Sequence, residues 1–339
     1  MTLALETKWI WDSWYVHDGA QWHAFFLQAD KSLLDPDLRH WNVTQGHAVG
    51  QDLRNWTHLG TMFAPSASPA WDDFTTWTGS VVRGDDDQWH LFYTGTSRAD
   101  NGKKQRIGHA VSDDLHQWQR VDSGVGPGVG SGVNPGLALD IDARYEEYAP
   151  GHWHDRACRD PLVIRDPDGA GWLMYFTGRA PDIAEPNAGG VIGLATSPDL
   201  LHWTLQAPVY TGGMFGQLEV PQVFTRDGRW YCLFCVAAEH WSAAYRQSYP
   251  GAPVTGTHYL ISDNPRGPWQ VAPGPFLDGA TPCYRYAARI VEDQGTLKLL
   301  GFLCNPGGGP FVGEISDPVE VLIGDDGLLR LAATATTTA

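Results

Sequence analysis

The apolar positions of this chain fall into one short pattern that returns five times. A Gly/Asp turn leads into a run of aromatic and aliphatic residues: Gly19-Ala20-Gln21-Trp22-His23-Ala24-Phe25-Phe26, Asp87-Gln88-Trp89-His90-Leu91-Phe92-Tyr93, Gly171-Trp172-Leu173-Met174-Tyr175-Phe176, Asp227-Gly228-Arg229-Trp230-Tyr231-Cys232-Leu233-Phe234 and a weaker Gln294-Gly295-Thr296-Leu297-Lys298-Leu299-Leu300-Gly301-Phe302. Short apolar runs bounded by turn residues predict strands. A second cassette follows most copies. It runs from Gly46-His47-Ala48-Val49 to Trp56, from Ile107-Gly108-His109-Ala110-Val111-Ser112 to Trp118, from Ile192-Gly193-Leu194-Ala195-Thr196-Ser197 to Trp203, and from Tyr259-Leu260-Ile261-Ser262 to Trp269. Strand, polar turn and closing Trp predict one four-stranded antiparallel sheet per repeat. The spacing, roughly 60–80 residues, exceeds that of common propeller blades. Five such sheets about an axis predict an all-β, five-bladed β-propeller, an arrangement that leaves only short edges unpaired. The repeats occupy nearly the whole chain, so residues 1–339 are expected to form a single domain.

Gly/Pro stretches mark the blade edges, most strongly Ser123 to Gly136, which is expected to be a surface loop. A second long insertion, from His240 to Pro253, falls in blade four. No apolar stretch reaches the roughly 18 residues of a membrane-spanning helix. The N-terminal segment Met1–Lys8 lacks the basic start and apolar stretch of a signal peptide. The net charge of −16 repels phosphate, so nucleic acid and anionic membranes are not expected partners; a neutral substrate fits better. Five cysteines, an odd number, argue against a disulfide framework, and a reducing, cytoplasmic compartment is expected. Cys232 and Cys235 form a CxxC, but positions i and i+3 of a strand point to opposite faces. They are expected to be buried strand residues.

Three carboxylates stand in unusual company. Asp12 lies in a run of tryptophans, Trp9-Ile10-Trp11-Asp12-Ser13-Trp14, where a charge is costly unless used or paired. Asp160 precedes Pro161 and the blade-three strand Leu162-Val163-Ile164. Glu219 lies in Gln217-Leu218-Glu219-Val220-Pro221, before the blade-four strand. All three are expected at the start of an innermost strand, so the ring should bring them to one mouth. Each alone has a plainer reading as a turn residue, a cap or a surface ion pair. Together, two carboxyls near one mouth suit glycoside cleavage, one as acid and the other as nucleophile or base. Trp11, Trp14, Trp41, Trp71, Trp77 and Trp153 are candidate floors for sugar rings, although most of the sixteen tryptophans should be core. Gly151-His152-Trp153-His154-Asp155 offers two histidines but no third ligand at metal spacing, and is expected to be a substrate-side loop. The run Asp85-Asp86-Asp87 is expected to be a solvated hairpin turn. No cofactor and no metal are expected.

These segments resemble the β-fructosidase superfamily of five-bladed glycoside hydrolases, the clan joining family 32 (invertases, inulinases, levanases) and family 68 (levansucrases). Trp11-Asp12-Ser13-Trp14 is similar to the nucleophile motif of family 68. Arg159-Asp160-Pro161 matches the Arg-Asp-Pro of the whole clan, and Glu219-Val220-Pro221 resembles its acid/base motif. Trp77-Thr78-Gly79-Ser80 resembles the Ser-Gly-Ser segment. Phe25-Phe26-Leu27-Gln28 and Gly46-His47-Ala48-Val49 resemble family 32 segments. The Asn-Asp-Pro-Asn of family 32 is absent, and no C-terminal β-sandwich is expected. The resemblance implies a retaining hydrolase or fructosyltransferase acting on β-fructofuranosides such as sucrose, fructo-oligosaccharides or fructans. It implies Asp12 as nucleophile, Glu219 as acid/base, and Asp160 with Arg159 as stabilisers of the transition state. Gln28, Trp77 and Ser80 would hold the furanose, with Trp11 and Trp41 as further binding candidates. The alternatives are a family 43-like inverting α-L-arabinofuranosidase or β-xylosidase and a non-catalytic sugar-binding propeller.

Overall fold

The computed structural model describes residues 2–121 and 135–333. Most of the Ser123–Gly136 loop expected from the sequence lies outside the described residues. Blade one comprises Lys8–His17, Trp22–Asp30, Thr44–Gly50 and Thr57–Phe63. Blade two comprises Thr75–Arg83, Trp89–Thr96, Arg106–Ser112 and Gln119–Arg120, with Leu137–Leu139 added beside its third strand. Blade three comprises Arg159–Arg165, Trp172–Arg179, Gly190–Ser197 and Thr204–Leu205. Blade four comprises Glu219–Arg226, Arg229–Val236, Thr255–Ser262 and Gln270–Val271, with Asp278–Ala280 again on the third strand. Blade five comprises Arg285–Asp293, Thr296–Leu303, Val319–Ile323 and Leu329–Leu331. Among the described residues every strand belongs to one of these five antiparallel sheets. Two sheets therefore carry five strands rather than the expected four.

The first strands of the five blades touch one another in closed cyclic order, which makes them the innermost strands of a ring. The N-terminal segment seals it: Leu3 exchanges backbone hydrogen bonds with Ile315, and Ile10 N–H donates to Gly313 O, tying blade one to blade five. The second strands are the aromatic runs of the repeat. Trp22–Asp30 and Trp172–Arg179 are buried almost throughout rather than on alternate residues. Each is sandwiched between two neighbouring sheets, so both faces of the strand are apolar. The outer strand Thr57–Phe63 is mostly exposed, as an edge should be.

The closing cassette is built by side-chain caps. In blade two Asp114 Oδ1 accepts from the N–H groups of His116 and Gln117, and Trp118 Nε1 donates to Leu115 O. Blade three repeats it with Asp199, Leu201, His202, and Trp203 onto Leu200 O. Leu115 and Leu200 share a φ of 67°. One sequence pattern thus makes one turn twice.

Cys232 and Cys235 are buried, as expected for strand residues. Cys283 and Cys304 pair as a disulfide with a Cα–Cα distance of 5.7 Å. That corrects the expectation of a chain without disulfides: the two lie 21 residues apart but meet just beyond the paired ends of the inner and second strands of blade five, which an odd cysteine count cannot foresee. The insertion after His240 forms one short helix, Ala243–Ser248. It packs Trp241, Tyr245 and Tyr249 on Phe215 and Phe276. Among the described residues no helix is long and apolar enough to cross a membrane.

Candidate active site

All five inner strands break register at the same level. The breaks fall between Trp11 and Ser13, Trp77 and Gly79, Arg159 and Leu162, Glu219 and Gln222, and Tyr286 and Arg289. Each is a one-residue bulge, a device that re-aims the side chain it carries. The bulged residues are Asp12, Thr78, Asp160, Val220 and Ala287. Four of them have positive φ: 20° at Asp12, 57° at Asp160, 52° at Val220 and 48° at Ala287. The residues just before the bulges form a second tier of Trp11, Trp77, Arg159, Glu219 and Tyr286. Nine of these ten residues, all but Ala287, line one cavity of about 460 Å³.

The three carboxylates do meet at one mouth, but not at equivalent positions. Asp12 lies in the middle of Lys8–His17 rather than at its start, and Glu219 stands one residue ahead of the position that Asp12 and Asp160 share. The difference arises because the bulge, not the strand end, sets the level of the site. The offset puts Glu219 in the tier of Arg159 and Tyr286, and both hold it. Arg159 Nη2 donates to Glu219 Oε1 at 2.9 Å, and Tyr286 OH donates to Oε2 at 2.5 Å. Asp12 accepts from the Thr78 hydroxyl. Asp160 Oδ2 accepts from Thr177 Oγ1 at 3.0 Å and from Val220 N–H at 3.1 Å. The Asp160 N–H donates to Thr94 Oγ1 at 2.8 Å. Arg159 is further fixed by Gln217 Oε1 at 2.7 Å and Gln105 Oε1 at 3.2 Å.

The electrostatics follow from burial and crowding. Burial, then the neighbouring Asp160, push Asp12 up to about 7, against the Thr78 hydrogen bond and with Glu219 adding repulsion. Burial also raises Asp160, which Glu219 reinforces and Arg159 opposes. Burial and the adjacent Glu219 carboxylate drive the Tyr286 phenol far above its ordinary range, so it remains a donor.

The other expected binding residues divide. Trp11 and Trp77 line the cavity, and Trp77 Nε1 donates to His40 O at 2.8 Å. Trp41 stands at the lip, 40% exposed, stacked on Phe74 with ring centroids 5.2 Å apart. Gln28 and Ser80, expected to hold the furanose, are not there. Gln28 is fully buried in blade one, donating from Nε2 to Thr61 Oγ1 at 2.8 Å and Thr44 Oγ1 at 3.2 Å. It fills the space beside Gly46, where a Cβ would lie 2.6 Å from its Oε1. Ser80 accepts from Val163 N–H and lines a different cavity, of about 270 Å³, further along the inner strands. The physical cause is register: Ser80 lies past the bulge and Gln28 on the second strand, where side chains meet the sheet next door. Trp14 lines that second cavity too, while Trp71 and Trp153 are buried core, Trp153 beneath the Arg179 guanidinium.

Of the segment 151–155, expected on the substrate side, and the insertion after His240, only the first contributes. His154 and Asp155 line the cavity; residues 240–257 do not. His152 instead pairs with Glu146. Among the described residues no group of three or more His, Cys, Asp or Glu side chains could hold a metal ion. Sequence reasoning missed Thr78, Gln105, Arg39, His40, Lys103 and Tyr286, all of which line the site. Aligning the five inner strands on their bulges would have found Thr78 and Tyr286, since they occupy the tiers of Asp12 and Glu219.

Residues 6–125 match the family model for the glycosyl hydrolases family 32 N-terminal domain. A levanase of Bacillus sp. (strain L7) is 27% identical over 263 residues, which is 71% of this chain and 25% of that protein. Over these residues the chain is similar to family 32 of the β-fructosidase superfamily. The β-fructofuranosidase 1 of Zea mays is 31% identical over 170 residues, 47% of this chain and 23% of that protein. These alignments thus span about a quarter of the length of either relative. An inulosucrase from Halalkalicoccus jeotgali has the same fold, with a TM-score of 0.74 at 21% identity over 98% of this chain and 89% of that one. Bacillus subtilis levansucrase gives 0.71 at 14% identity, over 96% and 86%.

Proposed function

We propose that this chain is a member of the β-fructosidase superfamily and a retaining glycosidase or fructosyltransferase acting on β-fructofuranosides, with residues 1–339 as one catalytic domain. What supports it above all is that Asp12, Asp160 and Glu219, from three separate blades, line a single cavity with Arg159 and Tyr286 gripping Glu219. Asp12 attacks C2 of the fructosyl unit as a carboxylate. Glu219 gives its proton to the glycosidic oxygen, and the bond to the leaving sugar breaks. A covalent fructosyl–Asp12 ester results. Glu219 then takes a proton from water or a sugar hydroxyl, which attacks C2 and frees Asp12. Asp160, held by Thr177 and the Val220 N–H, accepts from ring hydroxyls and stabilises the oxocarbenium-like state. Retention requires the Asp12 and Glu219 carboxyls about 5–5.5 Å apart; the inverting alternative requires about 6.5–9.5 Å. Substrate is expected to be neutral carbohydrate, with no nucleic acid or membrane involved.

The experiment is a substrate panel of sucrose, inulin, levan and aryl arabinofuranosides, with NMR of the first-formed anomer, run on the native protein, Asp12→Asn and Glu219→Gln. Fructose release with retained configuration, lost in both variants, is expected. Release that persists in both, or inversion at the anomeric carbon, overturns the assignment.

A further inference from the structure

Blade five departs from the others along the axis. Its bulge carries Ala287, where blades one and three carry Asp12 and Asp160. Three residues past Tyr286 comes Arg289. The equivalent positions of the other inner strands are Trp14, Ser80, Leu162 and Gln222, and all five side chains border the second axial cavity. Arg289 thus lies in the tier directly beneath the carboxylates. It is 3% exposed. Its Nη1 donates to Pro221 O at 2.7 Å, while Nε and Nη2 have no hydrogen-bond partner. Among the described residues it makes no ion pair. A buried cation without a contacting carboxylate is costly, and anions nearby are what offset the cost.

We propose that Arg289 is a positioning residue whose unpaired guanidinium, from beneath the site, supplies the positive charge that lets Asp12 and Asp160 ionise while Glu219 carries the transferable proton. This rests on the catalytic roles proposed above. The other cations of the site have partners of their own, although Arg39 keeps a buried Nε without one; Lys103 Nζ donates to His154 O at 3.3 Å. Arg159 is bonded to Glu219, Gln217 and Gln105. Arg39 lies 3.5 Å from Asp37 and over the Phe311 ring. Asp12 faces Asp160, Glu219, Arg289, Arg39 and the Thr78 hydroxyl; Asp160 faces Arg159, Glu219 and Arg289. The buried groups around them, Tyr15, Tyr286, Cys232 and Cys235, are all pushed up by burial and stay neutral. Ala287 at the blade-five bulge offers the guanidinium no carboxylate, and the acids further along its strand are paired elsewhere, Glu292 with Arg226 and Asp293 with Lys298.

The test uses Arg289→Gln and Arg289→Met, with Arg289→Lys as the charge-conserving control. In the pH profile of initial rates on sucrose, the neutral variants should move the acid limb upward by about one to two pH units, and Arg289→Lys should return most of it. A second arm needs no activity. Asp12→Asn should raise the melting temperature at pH 8 by more in the Arg289→Gln background than in the native one. If neither neutral variant folds at pH 8, folding at pH 5 supports the charge role, and failure at both values overturns it. An even loss of rate at every pH with the limb unmoved, or an Asp12→Asn gain equal in both backgrounds, also overturns it. A native protein inactive on every fructoside would sink the proposed function, while the stability arm would still decide the role of Arg289.

Discussion

Asp12→Asn should make the protein more stable and inactive at once. The folded protein holds Asp12 at about 7, against an ordinary 3.8. Between these values the unfolded chain has lost the proton that the folded chain keeps. Stability therefore falls as pH rises through this window, and the full cost is present above about pH 7. Three pH units at about 1.36 kcal/mol each give about 4 kcal/mol. Asn is neutral at every pH and its Oδ1 can still accept from the Thr78 hydroxyl, so the substitution removes the charge while keeping the contact. In a chain of this size about 2 °C accompanies each kcal/mol, so the melting temperature at pH 8 should rise by about 8 °C. At pH 4, close to the ordinary value of 3.8, where the unfolded chain still holds much of its proton, the gain should nearly vanish. Fructosyl transfer should meanwhile fall on the order of 10⁴-fold, because the nucleophile is gone. Calorimetry from pH 4 to pH 8 on the native protein and the variant is the assay. An equal shift at both ends, or a loss at pH 8, would refute the assignment of Asp12 as a crowded, charge-strained carboxyl.

Thr78→Val should remove the hydroxyl that favours the Asp12 carboxylate and move the acid limb of the rate profile upward by about one pH unit; an unmoved limb would mean that the contact does not tune Asp12. His109, bonded to His90 and 2% exposed, and His47, bonded to His23, are both held down to about 3 by burial and the neighbouring histidine, from an ordinary 6.5. Their contribution to stability is full above pH 6.5 and is lost as pH falls toward 3, so urea midpoints should drop steadily over that range. Replacing His109 with Gln should flatten the slope below pH 6, and an unchanged slope would count against it. Trp41→Ala should leave hydrolysis of a small fructoside within about twofold but lower transfer to sugar acceptors by about tenfold, the loss of roughly one stacked ring at the lip; product ratios by chromatography decide it.

Much of the ring was legible because its determinants are local. The turn residues, the aromatic runs and the closing tryptophans each act over about ten residues, so reading them in order yields five sheets. Asp12, Asp160 and Glu219 stood out because a charge among aromatic or strand residues must be used or paired. Gln28 and Ser80 were misplaced because sequence neighbours on a strand alternate faces and a bulge shifts the alternation by one. The Cys283–Cys304 pair and the Tyr286–Glu219 contact escaped for a different reason. Each depends on which strands lie side by side once the chain has closed.

By itself, the order of apolar, turn and acidic residues determined that this chain makes five antiparallel blades and that three acids gather at their axis, since each step needs only near-neighbour geometry. Tertiary structure alone decided how those acids are tuned. The five bulges stack at one level only after the ring shuts, and that level sets Glu219 beside Arg159 and Tyr286, sets Asp12 against Asp160, and leaves Arg289 buried below them. Electrostatic coupling acts through space, between residues up to 277 positions apart in the sequence, and so it exists only in the folded ring.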